Sequence, residues 1–174
     1  WDPTANNDNG DWDRLGGDID GEAANDHSGE SLALSSDGTM LAVGARYNDG
    51  STGASSGHVR VHQWGGSSWT KLGSDIDGEA ASDESGYSVA LSSDGTILAV
   101  GAVNNDDTAK NAGHVRVYQW DPTANNNNGD WDQLGSDLDG EAEHDQSGYS
   151  VALSSDGTIL AIGAIYNDNP DTGS

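Results

Sequence analysis

Acidic side chains recur at one spacing in three places along this chain: Asp18, Asp20, Glu22 and Asp26; Asp75, Asp77, Glu79 and Asp83; and Asp137, Asp139, Glu141 and Asp145. Counted from the first acid of each run, the oxygens fall at positions 1, 3, 5 and 9. A tight loop with this alternation sends every second side chain inward, and a hard cation such as Ca2+ wants six to eight oxygens at roughly 2.3–2.6 Å. A backbone carbonyl at position 7 (Ala24, Ala81 or Glu143) would add one more, and Gly21, Gly78 and Gly140 supply a flexible point at position 4. The spacing therefore nominates all twelve acids as Ca2+ ligands. Mg2+ fits less well because it takes fewer protein ligands in stricter geometry. The same residues also suit a metal-free turn, since loop Asp side chains accept hydrogen bonds from backbone amides two residues on.

Other polar and aromatic groups repeat as well. An Asn-Asp pair follows each Gly-Ala (Asn48-Asp49, Asn105-Asp106, Asn167-Asp168) and reads as a turn cap or as an addition to the same cation site. Trp1/Trp12, Trp64/Trp69 and Trp120/Trp131 bracket a segment of variable length. Facing aromatics at a hairpin base contribute roughly 0.2–1 kcal/mol per pair. The alternative for Trp12, Trp64, Trp69, Trp120 and Trp131 is stacking on sugar rings beside the acids. His58 and His114 open equivalent segments and read as surface residues, whereas His27 falls where the middle repeat has Glu84 and His144 where it has Ser82. Ser-Ser-Asp recurs at 35–37, 92–94 and 154–156 with no His in fixed relation, so no nucleophilic triad is indicated. Paired carboxylates could serve glycoside hydrolysis, but identical pairs in every repeat argue for architecture, and the chain reads as a non-enzyme.

The elements that carry these groups are stamped out in series. Residues 17–45, 74–102 and 136–164 are near-copies, with a period of 57 residues from Leu15 to Leu72 and 62 from Leu72 to Leu134. The extra length lies in the segment between the Trp residues: GGSS after Trp64 against DPTANNNNGD after Trp120. Close repetition at this period marks a solenoid or propeller. In the middle repeat, residues 85–92 alternate Tyr87, Val89 and Leu91 against small residues, the period of a strand. Asp94-Gly95 then offers two residues that tolerate positive φ, a strong hairpin signal. Residues 96–102 form an apolar run too short for a helix, a strand buried on both faces. Residues 113–120, GHVRVYQW, give a third strand with its polar residues on a more exposed surface, and 131–135 a short fourth.

Four antiparallel strands in about 60 residues describe a propeller blade. The fold class is all-β: a single repeat domain over 1–174, with units at about 12–64, 69–120 and 131–174, the last lacking its GHVRVYQW-type strand. About three blades cannot close a ring that takes roughly 4 to 8. The chain opens mid-motif without Met, so it is expected to be a mature product or a piece of a longer chain, or else to associate edge to edge with copies of itself.

SGYSVALSSDGTILAVGA followed by GHVRVYQW resembles the FG-GAP repeat of integrin α-type propellers. The resemblance covers the second half of each unit. It departs from the family pattern where Ser28-Gly29, Ser85-Gly86 and Ser147-Gly148 stand for Phe-Gly and where no Pro follows Gly44-Ala45, Gly101-Ala102 or Gly163-Ala164. The place of the family's calcium loop holds only the tight SSDGT turn. Integrin partners are therefore not carried over.

A formal charge of −24, from 30 acids against 6 bases, argues against nucleic acid or an anionic membrane as partner and for cations. No apolar stretch approaches a membrane span, and zero Cys excludes a disulfide framework. Two function classes follow. The first is an extracellular or cell-surface propeller, calcium-stabilised, that binds protein, glycan or its own copies as an adhesion or structural module. The alternative is a carbohydrate-active enzyme with Trp platforms and paired carboxylates.

Overall fold

The computed structural model describes residues 11–168. A first sheet is built from β1 (Ser31–Leu34), β2 (Met40–Ala45), β3 (His58–Trp64), β4 (Trp69–Lys71) and β5 (Ile76–Asp77). A second is built from β6 (Ser85–Leu91), β7 (Ile97–Ala102), β8 (His114–Asp121), β9 (Asp130–Gln133) and β10 (Leu138–Asp139). The third unit contributes a hairpin of β11 (Ser147–Leu153) and β12 (Leu160–Ala164). Among the described residues the named strands pair antiparallel, and the paths β1-β2-β3-β4 and β6-β7-β8-β9 follow chain order, which is the meander of a propeller blade. The architecture is all-β, a partial propeller.

The fourth strand of each complete sheet comes in two pieces. After β4 pairs with the outer half of β3, the chain bends at Gly73, φ 77°, and β5 returns to pair Ile76 with Val59 and Asp77 with His58. β9 and β10 repeat this on β8 around Gly135, φ 75°. The second acids of runs two and three, Asp77 and Asp139, thus lie on a strand, where their spacing predicts a loop. In run two Ile76 explains the difference, because it is buried in the core and anchors its acidic neighbours to the sheet.

Two further expectations are corrected. In the SSDGT turns only the glycines take positive φ (Gly38, Gly95 and Gly157). The Asp acts instead through its carboxylate: Asp94 Oδ1 accepts hydrogen bonds from Ser92 Oγ, Thr96 N and Thr96 Oγ1 at 2.7–3.0 Å, and Asp37 and Asp156 do the same. The third strand is not an exposed surface either. His58, His114 and Arg116 on it are buried, because the acidic run that precedes each sheet packs across its edge.

The insert between Trp120 and Trp131 closes through a helical turn, α1 (Ala124–Asn127), in which Asn125 and Asn126 sit at φ 50° and 57°. Asn tolerates this left-handed backbone better than other non-glycine residues, which suits its repetition there.

The core fills the space between the first two sheets with Met40, Ala42, Val59, Val61, Ile76, Leu98, Val100, Tyr118 and Trp131. Burying each Val or Leu side chain contributes roughly 1.5–3 kcal/mol. The first strands β1, β6 and β11 gather side by side. Their turns are also linked in series, Ser36 N donating to Ser93 O at 2.9 Å and Ser93 N to Ser155 O at 2.8 Å.

Candidate metal centre

The acid at position 9 of each run closes its own loop. Asp26, Asp83 and Asp145 are buried, and each accepts the backbone N–H three residues earlier, from Ala23, Ala80 and Ala142, at 2.9–3.0 Å. The Asn of each Asn-Asp pair donates to the same carboxylate: Asn48 to Asp26 at 2.9 Å, Asn105 to Asp83 at 3.2 Å and Asn167 to Asp145 at 3.2 Å. The following acids, Asp49 and Asp106, accept the N–H of Ser55 and Asn111, so these pairs clamp the loop to the strand end.

The other acids of a run divide between neighbouring sheets. Asp75 stays with the first sheet, accepting Arg60 Nε at 3.0 Å and Lys71 Nζ at 2.8 Å. Asp77 accepts Ser51 Oγ at 2.7 Å. Beyond Gly78, Glu79 lies against the second sheet, 3.4 Å from Arg116 Nη1 and 3.8 Å from His114 Nδ1. Run one places Glu22 in the same relation to the first sheet, beside Arg60 and 3.7 Å from His58 Nδ1, while Asp18 and Asp20 are exposed and Asp18 pairs with Arg14. In run three, Asp137 accepts Gln133 Nε2 and lies 4.0 Å from His114 Nδ1. Asp137, Asp139, Glu141 and Asp145 line one depression of about 410 Å³ together with Asn167.

Among the described residues two groups of ligand atoms lie within 4.8 Å of one another: Glu22, His58 and Asp75, and Glu79, Asp107, His114 and Asp137. Each takes carboxylates from two successive runs and a histidine from a third strand, and the second adds Asp107 from the loop between β7 and β8. Neither His58, His114 nor Asp107 stands among the ligands the spacing nominates. The available signal was the recurrence of His-Val-Arg-Val at the same place in two units.

Burial sets the electrostatics here. Desolvation pushes His58 and His114 below the ordinary imidazole value, which keeps them neutral near pH 7. It also raises Glu79, against the pull of Arg116. For Asp75 burial opposes ionisation, yet Lys71 and Arg60 outweigh it and the carboxyl ends lowered.

The Trp pairs are joints between units. Trp64 and Trp69 face each other with ring centroids 5.4 Å apart, Trp120 and Trp131 at 5.6 Å. Trp69 Nε1 donates to Leu15 O at 3.1 Å and Trp131 Nε1 to Leu72 O at 3.2 Å, so each indole reaches back to the preceding unit's Leu-Gly. Trp131 is buried, Trp64, Trp69 and Trp120 are half-buried, and Trp12 is 78% exposed. Trp1 lies outside the described residues.

One cluster breaks the repetition. Arg46, whose counterparts are Val103 and Ile165, pairs with Glu30 at 2.9 Å and Glu84 at 3.2 Å and lies over the rings of Tyr47 and Tyr87. It ties the first unit to the second.

No helix among the described residues is long and apolar enough to cross a membrane. A search of the curated proteins returns no match to the chain. The family model described as the FG-GAP repeat matches residues 75–118 and 137–174, each segment opening on the first acid of a run. Repeats of this kind build propeller modules of a binding or adhesion type. On its repeats, its blade meander and this match, the chain is an FG-GAP-like repeat protein.

Proposed function

We propose that the chain is a Ca2+-stabilised propeller module displayed outside the cell, which binds a protein or glycan partner without chemical turnover. The observation that carries the reading is the third run, where all four nominated acids line one depression that also holds Asn167. Several carboxylates around one space, in a chain of charge −24, suit a hard cation that removes their mutual repulsion. Binding without catalysis is supported by repetition, because nearly every group that could act as acid, base or nucleophile recurs in equivalent units. The Ser-Ser-Asp hydroxyls are engaged in their turns, Ser92 Oγ donating to Asp94 and accepting from Ile97 N. The enzyme reading with Trp sugar platforms is disfavoured by the burial of Trp131 and the seating of Trp69 on the preceding unit.

The test immobilises the protein and measures capture of a glycan and extracellular-protein panel in Ca2+ and in EDTA. Ca2+-dependent capture with no release of sugar is expected. Turnover of a glycoside substrate, or capture unchanged by EDTA, would contradict the proposal.

A further inference from the structure

We infer that Glu79, Asp107, His114 and Asp137 form a site for one borderline divalent transition-metal ion, Zn2+ being the working case, at the junction of runs two and three with β8. Their ligand atoms lie within 4.8 Å of one another. His114 is 1% exposed, and its Nδ1 has no hydrogen-bond partner although it points at Glu79 Oε2, 3.8 Å away, and Asp137 Oδ2, 4.0 Å away. A buried ring nitrogen left without a bond at the mouth of three carboxylates is costly unless something accepts its lone pair or its proton. Zn–N and Zn–O bonds of about 2.0–2.2 Å in tetrahedral geometry need ligand atoms roughly 3.4 Å apart, so the four converge with side-chain shifts of up to about 1 Å per group.

The equivalent place in the first sheet shows what distinguishes a metal site from a salt-bridge cluster. There Glu22 and Asp75 face Arg60 and Lys71, so two acids meet two fixed cations. At the second sheet three acids, Glu79, Asp107 and Asp137, gather where, among the described residues, one cation, Arg116, pairs with Glu79. Lys71 has its counterpart in Gln133, which donates to Asp137 and orients it without neutralising it. The second junction is left with an excess of negative charge beside a buried imidazole, and the first is not. Imidazole selects against Ca2+, which takes oxygen, and for Zn2+ and its neighbours in the transition series. This site is separate from the Ca2+ reading of the acid runs, although it shares Glu79 and Asp137.

The experiment strips the protein with EDTA, removes the chelator and titrates Zn2+ by calorimetry in a large excess of Ca2+, with Co2+ absorption as a second readout. One site per chain is expected, with a visible Co2+ band of low coordination number. His114→Gln and Asp107→Asn should each weaken Zn2+ at least tenfold, and His58→Gln should leave it unchanged. Asp107 is exposed, so its variant keeps the test valid if the buried substitution fails to fold. Equal Zn2+ affinity in wild type and Asp107→Asn, or loss of the site in His58→Gln, overturns the assignment. Ca2+ stabilisation retained in Asp107→Asn shows that the two metal readings fail or stand separately.

Discussion

Ser88 Oγ donates a 2.7 Å hydrogen bond to the carbonyl oxygen of Gly148, one unit ahead, and Ser31 makes the same bond to Gly86 at 2.6 Å. Each bond brings the first strand of one unit against the next, and Gly101 and Gly44 leave the room for it. A Cβ on Gly101 would run into the Gly148 carbonyl and Ser88 Oγ. Gly101→Ala should therefore destabilise the protein by about 1–3 kcal/mol through overpacking against rigid backbone. Gly17→Ala, where a Cβ meets nothing within 4 Å, should be near neutral. Urea denaturation midpoints of the two variants check the contrast.

Asp83, itself buried, holds Ala80 N of its own loop and the Nδ2 of buried Asn105. Its replacement by Ala leaves both donors without this partner, and for the buried Asn105 amide an unsatisfied donor costs roughly 1–3 kcal/mol. Amide hydrogen exchange at Ala80 should accelerate in Asp83→Ala while the strands of the first sheet keep their protection. Unchanged exchange at Ala80 would show that the clamp does not hold the loop.

The turn acids give the fold an acid-sensitive component. Asp37, Asp94 and Asp156 are held below the ordinary carboxylate value by the backbone and hydroxyl donors of their own turns, Asp156 down to about 2. Below the unfolded value, near 3.8, the unfolded chain takes up protons that the folded turns resist. Stability conferred by these groups is full above that pH and falls as pH drops from about 4 toward 2. The variant Asp94→Asn with Asp156→Asn should lose stability at neutral pH and show a shallower fall across that window. Melting curves at half-unit pH steps measure it, and parallel falls would contradict the assignment.

Trp131 and Trp12 occupy equivalent places, but only Trp131 is buried against a neighbouring unit. Trp131→Ala should cost about 3–5 kcal/mol, the range for a large core aromatic. Trp12→Ala should stay under about 1 kcal/mol. If soluble oligosaccharides quenched the fluorescence of Trp131, its role as a joint would fail.

The hairpin of the second and third strands was legible because all its information is local. β7 is a continuous apolar run and β8 alternates, and their register needs nothing outside residues 97–121. The junctions were not. Asp75 and Glu79 are near neighbours in one run, yet Asp75 binds Arg60 of the first sheet and Glu79 faces Arg116 of the second. The bend between them at Gly78, whose N–H donates to Gly57 O, is fixed by tertiary contact. His114 read as a surface residue for the same reason: the groups that bury and face it come from residues 79, 107 and 137, which no spacing within one run connects.

The direct test of the central claim, that the acid runs hold a stabilising cation, is thermal unfolding in EDTA and in increasing Ca2+. Binding to the folded state alone at 100 times Kd adds about 2.7 kcal/mol, and at roughly 2–4 °C per kcal/mol for a chain of this size Tm should rise by about 5–10 °C. The rise should continue logarithmically with Ca2+ and shrink in the triple variant Asp139→Asn, Glu141→Gln, Asp145→Asn. A Tm equal in EDTA and in millimolar Ca2+ would contradict the claim.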